Sequence, residues 1–188
     1  MGKFKKIKTP IKNLYIIETT IFRDDRGFFM ESYNQREFAE IGLNMEFVQD
    51  NHSKSNKGTL RGLHFQVKYP QGKLVRVSKG TVYDVAVDLR EGSKTYGQYY
   101  GIILSEDNKK LFYIPKGFAH GFLVLSENVE FMYKTTDYYY PDYDRGIIWD
   151  DKDINIDWPL QTYGLKEEDL LLSAKDRNLP TLAEFHKG

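Results

Sequence analysis

The sequence of 188 residues contains no cysteine, which excludes disulfide bonds and thiolate metal sites. It also lacks an excess of either charge, because 27 lysine and arginine residues balance 27 aspartate and glutamate residues. A balanced total gives no support for binding to nucleic acid or to an anionic membrane. Apolar runs of membrane-spanning length are missing, and the basic N-terminal stretch lacks the apolar core of a signal peptide. We therefore expect a cytoplasmic protein with neither nucleic acid nor membrane as a partner.

Aromatic residues, by contrast, are abundant, with 14 tyrosines and 12 phenylalanines. Such residues favour β-strands, and tyrosine also suits pockets that need a flat apolar wall with a polar tip. The length is typical of one domain, and no repeat, low-complexity segment or linker divides the chain. We expect a single domain over residues 1–188.

Several stretches alternate apolar and polar residues with a period of two, which predicts β-strands. The clearest is residues 81–90, where one face carries Tyr83, Val85, Val87 and Leu89 and the other carries Asp84 and Asp88. Short strands separated by turn residues about every 8 to 12 positions indicate an antiparallel sandwich or barrel. Within this pattern, Lys79–Gly80 predicts a hairpin turn.

Helix signals are few. Residues 34–42 predict a short helix with Gly42 as its C-terminal cap, and residues 166–176 predict another near the C-terminus. Residues 135–159 are rich in aromatic and acidic side chains and predict a long ordered loop. Long ordered loops on an all-β scaffold are often functional.

The stretch RGLHFQVKYPQGK places His64 among apolar neighbours on a predicted strand. A histidine there can be a base, a metal ligand or a hydrogen-bonded core residue. Metal-binding β-sandwiches usually supply closely spaced ligands such as H-x-H, whereas positions 62 and 66 here are glycine and glutamine. The remaining histidines are distant in sequence, so we expect no metal in the site.

Other polar residues near the predicted strand ends each have a simple structural explanation. Lys73 suits a solvated surface, His120 suits strand filling, and Arg26 in DDRG suits either an exposed turn or an anion clamp. Ser173 and Asp176 have the spacing of a helix N-cap, although Asp176 is also a candidate for the carboxylate that orients a histidine. Several convergent polar groups together nevertheless favour a functional site.

Motifs along the whole chain extend this interpretation: DDRGFF, FVQDN, LRGLHFQ, PKGFAHGF, YKTTDYYYP and LSAKDRNLP. In this order and near this spacing, from about residue 5 to 182, the sequence resembles the dTDP-4-dehydrorhamnose 3,5-epimerase family. The resemblance implies a cupin-type jelly roll of packed antiparallel sheets, with its core at about residues 12–140 and a C-terminal loop and helix region at about residues 141–188. It also implies a homodimer that uses neither metal nor cofactor.

The resemblance further implies roles for individual residues. His64 matches the family's base, Asp176 its paired carboxylate and Tyr133 its acid, while Lys73 matches the lysine near the sugar ketone. The substrate-binding positions match Arg26, Glu31, Gln49, Asp50, Asn51, Arg61, His120, Tyr139, Asp144 and Lys175.

These residue types suit the chemistry that the family performs on a 4-keto sugar carried by dTDP. The ketone acidifies the C–H bonds at C3 and C5, so each centre can be inverted by deprotonation and reprotonation. Inversion needs a base on one face of the ring and an acid on the other, and a lysine ammonium stabilises the intermediate enolate oxygen. The expected product is dTDP-4-dehydro-L-rhamnose. Alternatives are a monoepimerase or ketoisomerase acting on a related nucleotide sugar, and a non-catalytic cupin that binds a sugar nucleotide.

Strand parity raises one difficulty within this assignment. Arg61 and His64 are separated by three positions, so on a regular strand they face opposite sides. A bulge at Gly62 would bring both into one pocket, and without it Arg61 would serve another surface, such as a neighbouring subunit's site. The sequence leaves both arrangements open.

Overall fold

A computed structural model describes residues 2–185, and Met1 and residues 186–188 at the ends of the predicted domain lie outside the described residues. The strands are β1 (Phe4–Lys8), β2 (Tyr15–Thr19), β3 (Phe22–Asp24), β4 (Gly27–Phe29), β5 (Gln49–Asn56), β6 (Leu60–Gln66), β7 (Lys73–Lys79), β8 (Thr81–Asp88), β9 (Tyr99–Ser105), β10 (Leu111–Ile114), β11 (Phe118–Val124), β12 (Asn128–Thr135) and β13 (Asp144–Gly146). The helices are α1 (Gln35–Glu40), α2 (Ala174–Arg177) and α3 (Leu182–Phe185), with 3-10 turns at Pro141–Tyr143, Gln161–Tyr163 and Glu167–Asp169. Within residues 2–185 no helix is long and apolar enough to cross a membrane.

The strands form two antiparallel sheets that pack face to face. One has six strands in the order β1-β2-β10-β7-β12-β5, and the other has five in the order β13-β6-β11-β8-β9. Their inner faces share one apolar core, to which the first sheet contributes Val75 and Phe131 and the second Ala86 and Phe122. The predicted all-β jelly-roll sandwich with a few short peripheral helices is confirmed.

The outer face of the five-stranded sheet is covered by the C-terminal segment. Alternation along β8 sends Val85 and Val87 outward, where they join a second apolar cluster with Ile147 and Trp158. The opposite face of β8 points between the sheets, so Asp84 is buried as well. Both faces of this strand are therefore covered.

Two local predictions need correction. The turn at Lys79–Gly80 is real, with Gly80 at φ +80°, but it does not form a hairpin. The strands that it joins belong to different sheets, so the chain crosses the sandwich at this point. The helix predicted over residues 166–176 is interrupted, because the backbone of Leu171 exchanges hydrogen bonds with Gly58 and Leu60 at 2.9 and 3.2 Å. The predicted helix near residues 34–42 is confirmed, with Gly42 at φ +75° following its end.

A β-bulge interrupts β6 next to β11. Across this pair His64 faces His120 and Arg61 faces Phe122, so three steps on β6 match two on β11. Gly62 occupies the bulge at φ +117°, and the Gly62–Leu63 peptide bond is cis. Of the two arrangements that the sequence left open, the structure therefore has the bulge at Gly62, which turns Arg61 and His64 toward the same side of the sheet.

We expect Gly62→Ala to lower the free energy of unfolding by more than about 3 kcal/mol, because strain and overlap act together. An added Cβ would lie 2.5 Å from the Gly121 Cα and 2.7 Å from the His120 carbonyl oxygen. Gly92→Ala is the control, because Gly92 also has a positive φ of +71° but has no atom within 4 Å of an added Cβ. Its expected cost is about 1–2 kcal/mol. Urea unfolding of both variants checks the difference, and equal losses would contradict it.

Candidate active site

His64 and Asp176 form a hydrogen-bonded pair although 112 positions separate them. The Nε2 atom of His64 lies 2.6 Å from Oδ1 of Asp176, which is buried at the start of α2. Ser173 caps α2 by accepting from the Asp176 backbone N–H at 3.0 Å, and its hydroxyl donates to Oδ2 of Asp176 at 2.8 Å. The helix cap predicted from the S-x-x-D spacing is therefore confirmed, and the same Asp176 carboxylate is hydrogen-bonded to a histidine.

Burial and hydrogen bonding act in opposite directions on Asp176. Burial alone would raise the pKa of this carboxyl, but the hydrogen bonds with His64 and Ser173 outweigh it and lower the pKa below its ordinary value. Asp176 is therefore a carboxylate at neutral pH. A carboxylate bonded to one imidazole nitrogen fixes the orientation and the tautomer of the ring.

A cavity of about 280 Å³ opens in front of this pair, between the two sheets. Its walls come from β5, β6, β7, β11, β12 and the segment around α2, and its lining includes Ser53, Arg61, His64, Lys73, His120, Tyr133, Lys175 and Asp176. Five strands and α2 thus bring together polar residues that are scattered along the sequence. Arg61 lines the cavity of its own chain, which is the arrangement that a bulge at Gly62 allows.

Lys73 begins β7 and points into the cavity. Burial lowers the pKa of its ammonium to about 8, while the negative charges of Asp144 and Asp84 oppose that shift. The side chain is therefore a cation at neutral pH that loses its proton at moderately alkaline pH.

Tyr133 lies on β12 and combines two roles that the sequence could not separate. Its ring packs against the inter-sheet core beyond Val129 and Phe131, and it also lines the cavity. Burial raises the pKa of the phenol, with partial opposition from Arg61. The hydroxyl therefore stays protonated at neutral pH.

His120 forms a second histidine–carboxylate pair in the same cavity, with a partner that sequence reasoning missed. Its Nε2 lies 3.0 Å from both carboxylate oxygens of Asp84. Burial lowers the pKa of His120 and raises the pKa of Asp84, and the attraction between them opposes both shifts. The available signal was Asp84 itself, since a carboxylate in the inward stripe of a core strand needs a partner.

A network of amide, phenol and ammonium groups adjoins the cavity at Lys175, and the bond from the Tyr139 N–H to the Gln49 side chain joins its two halves. Gln49 donates to the side-chain oxygen of Asn51 at 2.8 Å, and the buried Nδ2 of Asn51 has no hydrogen-bond partner among the described residues. Asp144 accepts from the Tyr139 hydroxyl at 3.1 Å and pairs with the Lys175 ammonium. The sequence-predicted residues Gln49, Asn51, Tyr139, Asp144 and Lys175 therefore form a connected rim.

Gln49, Asn51, Tyr139 and Asp144 do not line the His64 cavity itself, and three other predicted residues lie outside both the cavity and the rim. Arg26 lies in the exposed β3–β4 hairpin and pairs with Asp24. Glu31 pairs with Lys3, and Asp50 pairs with Lys134 at 2.8 Å. For Asp50 the reason is strand parity, because Gln49 and Asn51 point to one side of β5 and the residue between them points to the other.

The donor set of the cavity also bears on metal binding. Over residues 2–185, no group of three or more histidine, cysteine, aspartate or glutamate side chains is arranged to hold a metal ion. The two histidines of the cavity are each bonded to a separate carboxylate.

Comparisons with known proteins identify the family of the chain. The family model described as dTDP-4-dehydrorhamnose 3,5-epimerase matches residues 8–184. The dTDP-4-dehydrorhamnose 3,5-epimerase of Escherichia coli is 56% identical over 181 residues, covering 95% of each chain. Its counterpart in Methanothermobacter thermautotrophicus is 53% identical over 184 residues, covering 98% of this chain and 97% of that protein.

A solved structure gives the same result for the fold. It is dTDP-6-deoxy-D-glucose-3,5-epimerase of Legionella pneumophila in complex with dTDP-4-keto-L-rhamnose. It superposes with a TM-score of 0.90 at 50% identity, covering 96% of this chain and 93% of that one. The chain therefore belongs to the dTDP-4-dehydrorhamnose 3,5-epimerase family of isomerases.

Proposed function

We propose that this protein inverts C3 and C5 of dTDP-4-dehydro-6-deoxyglucose and yields dTDP-4-dehydro-L-rhamnose. The observation that carries the proposal is the His64–Asp176 pair, 2.6 Å apart, in a cavity that also contains Tyr133 and Lys73. Relatives at more than half identity carry the name of this activity. We also propose that the protein is cytoplasmic.

His64 is the proposed base. Its Nε2 is bonded to Asp176, and no described residue bonds to Nδ1, so Nδ1 is the nitrogen that meets the substrate. The Nδ1 lone pair takes the proton from C3 or C5, and the C–H electrons form an enolate whose negative charge rests on the ketone oxygen. The carboxylate of Asp176 stabilises the imidazolium that results.

Tyr133 and Lys73 complete the proposed reaction. The protonated Tyr133 phenol delivers a proton to the opposite face of the same carbon, which inverts the centre and regenerates the ketone. The Lys73 ammonium stabilises the enolate oxygen in the interval, a contribution of several kcal/mol in comparable sites. Exchange with water then removes the proton from His64 and returns one to Tyr133. Proton transfer alone accomplishes the inversion, and the proposal includes no metal or redox cofactor.

The nucleotide would lie across the rim. Arg61 hydrogen-bonds to the Ser55 hydroxyl at 3.2 Å and has no carboxylate partner among the described residues, so its charge is available for a diphosphate. Lys175 adds a second cation, and His120 offers its remaining ring nitrogen to the sugar. The exposed ring of Tyr139 provides a surface on which the base can stack, and the unpaired amide of Asn51 can donate to the ligand.

A homodimer would account for Arg26. The β3–β4 hairpin exposes Phe22, Phe28 and Phe29, the last with 64% of its surface in contact with solvent. An exposed aromatic group of this kind typically packs against a partner. In a homodimer the hairpin would carry Arg26 toward the partner subunit's cavity, where it would act as the predicted anion clamp. Glu31 and Asp50, which also lie outside the cavity, would then face the same interface.

The reaction itself is tested by incubating the protein with dTDP-4-dehydro-6-deoxyglucose in deuterated water. We expect deuterium at both C3 and C5, together with formation of the rhamnose epimer. Deuterium at one centre only would favour a relative, such as a monoepimerase or a ketoisomerase, and its absence from both would exclude catalysis on this substrate.

A comparison of Tyr133→Phe with His64→Asn distinguishes the proposed acid from the proposed base. Because Tyr133→Phe lacks the positioned general acid, we expect its epimer formation to be about 100- to 10,000-fold slower than that of the wild type. Isotope exchange should be better preserved, because the base is still present. His64→Asn should abolish exchange and product together. Tyr133→Phe should lower the free energy of unfolding by at most about 1–2 kcal/mol. Product formation by Tyr133→Phe at close to the wild-type rate would exclude Tyr133 as the acid.

A pH profile tests Lys73. Burial lowers the pKa of Lys73 to about 8, so its ammonium is present below that pH and is lost as the pH rises through it. We expect kcat/KM to fall above about pH 8, because the neutral amine no longer stabilises the enolate. In Lys73→Arg the charge persists, so the alkaline decline should move to higher pH, even though the rate is lower. An alkaline decline at the same pH in both proteins would assign it to another group.

The oligomeric state tests whether the β3–β4 hairpin forms a dimer interface. Light scattering at micromolar concentration should give twice the chain mass for the wild type, and Phe28→Ser with Phe29→Ser should shift it toward the monomer. Leu171→Ser is the control, since Leu171 is 52% exposed and lies outside the hairpin. A monomeric wild type would overturn the dimer, and a hairpin variant that remains fully dimeric would move the interface elsewhere.

A further inference from the structure

Gln66 ends β6 two residues beyond His64, and it is only 7% exposed. Its amide makes three hydrogen bonds, all to the backbone of two separate loops. The Nε2 atom donates to the Tyr69 carbonyl at 2.8 Å and to the Tyr138 carbonyl at 3.2 Å. The Oε1 atom accepts from the Tyr140 N–H at 2.8 Å. One side chain therefore joins the loop after β6 to the loop after β12.

The two bonds to the second loop lie on either side of Tyr139. Gln66 holds the carbonyl just before this residue and the N–H just after it. The Tyr139 N–H itself donates to the Gln49 side chain at 3.1 Å, and its hydroxyl donates to Asp144 at 3.1 Å. The ring is nevertheless 53% exposed. An exposed aromatic ring with a fixed backbone is typical of a surface prepared for a flat ligand.

We propose that Gln66 is a positioning residue for nucleotide binding, which fixes the loop that presents the Tyr139 ring. The inference rests on the proposed function, because it takes Tyr139 as the residue that contacts the base of dTDP. Gln66 is absent from the lining of the cavity that holds His64 and Asp176, so it acts on affinity for the nucleotide rather than on proton transfer. Without its amide, the loop must be ordered when the ligand binds, and that ordering weakens binding.

The test is a double-mutant cycle with Gln66→Met and Tyr139→Ala. Gln66→Met preserves the side-chain length and removes all three hydrogen bonds. We expect it to weaken dTDP binding, measured by calorimetry, about ten-fold and to change kcat less than two-fold. In the Tyr139→Ala background the same substitution should change dTDP affinity less than two-fold, because no ring remains to be positioned.

Gln71→Met is the matched control. The Gln71 amide donates to the Asp137 carbonyl in the same loop at 2.9 Å, but it does not bond to either residue adjacent to Tyr139. We expect this substitution to change dTDP affinity less than about two-fold. A loss as large as that of Gln66→Met would indicate general loosening of the loop and would overturn the positioning role.

The remaining outcomes separate this inference from the proposed function. If Tyr139→Ala binds dTDP as the wild type does, the proposed nucleotide contact is wrong and the role of Gln66 fails with it. A second case is that Tyr139→Ala weakens dTDP binding as expected. The inference about Gln66 alone is then wrong if Gln66→Met leaves dTDP affinity unchanged, if it weakens binding equally in both backgrounds, or if it changes only kcat. Should Gln66→Met not fold, Gln66→Glu takes its place in the cycle. The glutamate keeps an acceptor for the Tyr140 N–H, but at neutral pH it lacks the two N–H donors of the glutamine amide.

Discussion

The close approach of β6 and β11 is the constraint on which the site depends. Gly62 and Gly121 meet where the two strands cross the middle of the five-stranded sheet, and neither position has room for a side chain without displacing backbone. Because the chains can approach there, β6 accommodates an extra residue, and both Arg61 and His64 face the space between the sheets. His64, the proposed base, and Arg61, which is proposed to bind the diphosphate, can therefore line one cavity although they are three positions apart on one strand. This arrangement depends on the two glycines that face each other.

Burial then gives the ionisable groups of the cavity distinct protonation states. It keeps the proton on Tyr133 and lowers the pKa of Lys73 to about 8, whereas hydrogen bonds keep Asp176 ionised. A protonated phenol, a cation and a carboxylate-bound histidine therefore coexist at neutral pH. The proposed proton transfer through an enolate needs this combination, with His64 as the proposed base and Tyr133 as the proposed acid.

Local sequence patterns predicted the features that depend on neighbouring residues. Alternation identified β8, Gly42 marked the end of α1, and the parity of Arg61 and His64 raised the bulge at Gly62 as one of two possible arrangements. Features that depend on distant residues were less accessible. The turn at Gly80 is encoded locally, but the sheet that each flanking strand joins is decided by pairing with β11 and β12.

The candidate site shows the same division. Resemblance to a known family led to His64 and Asp176, whereas alternation alone could not relate residues so far apart. Asp84 was visible as a polar position in an apolar strand, but its partner became evident only when β8 and β11 were adjacent. The contacts of Gln66 join residues up to 74 positions apart, and no local pattern encodes them.

The dual role of Ser173 and Asp176 has a consequence for how the protein responds to heat. A helix of four residues has little stability of its own, so α2 is held mainly by its cap and by the bond to His64. Segments of this kind open locally at lower free energy than the strands of a core. Whenever α2 frays, Asp176 leaves the imidazole, while the sandwich behind it remains intact. If Asp176 supports His64 as proposed, warming would therefore inactivate the protein reversibly before the sandwich unfolds.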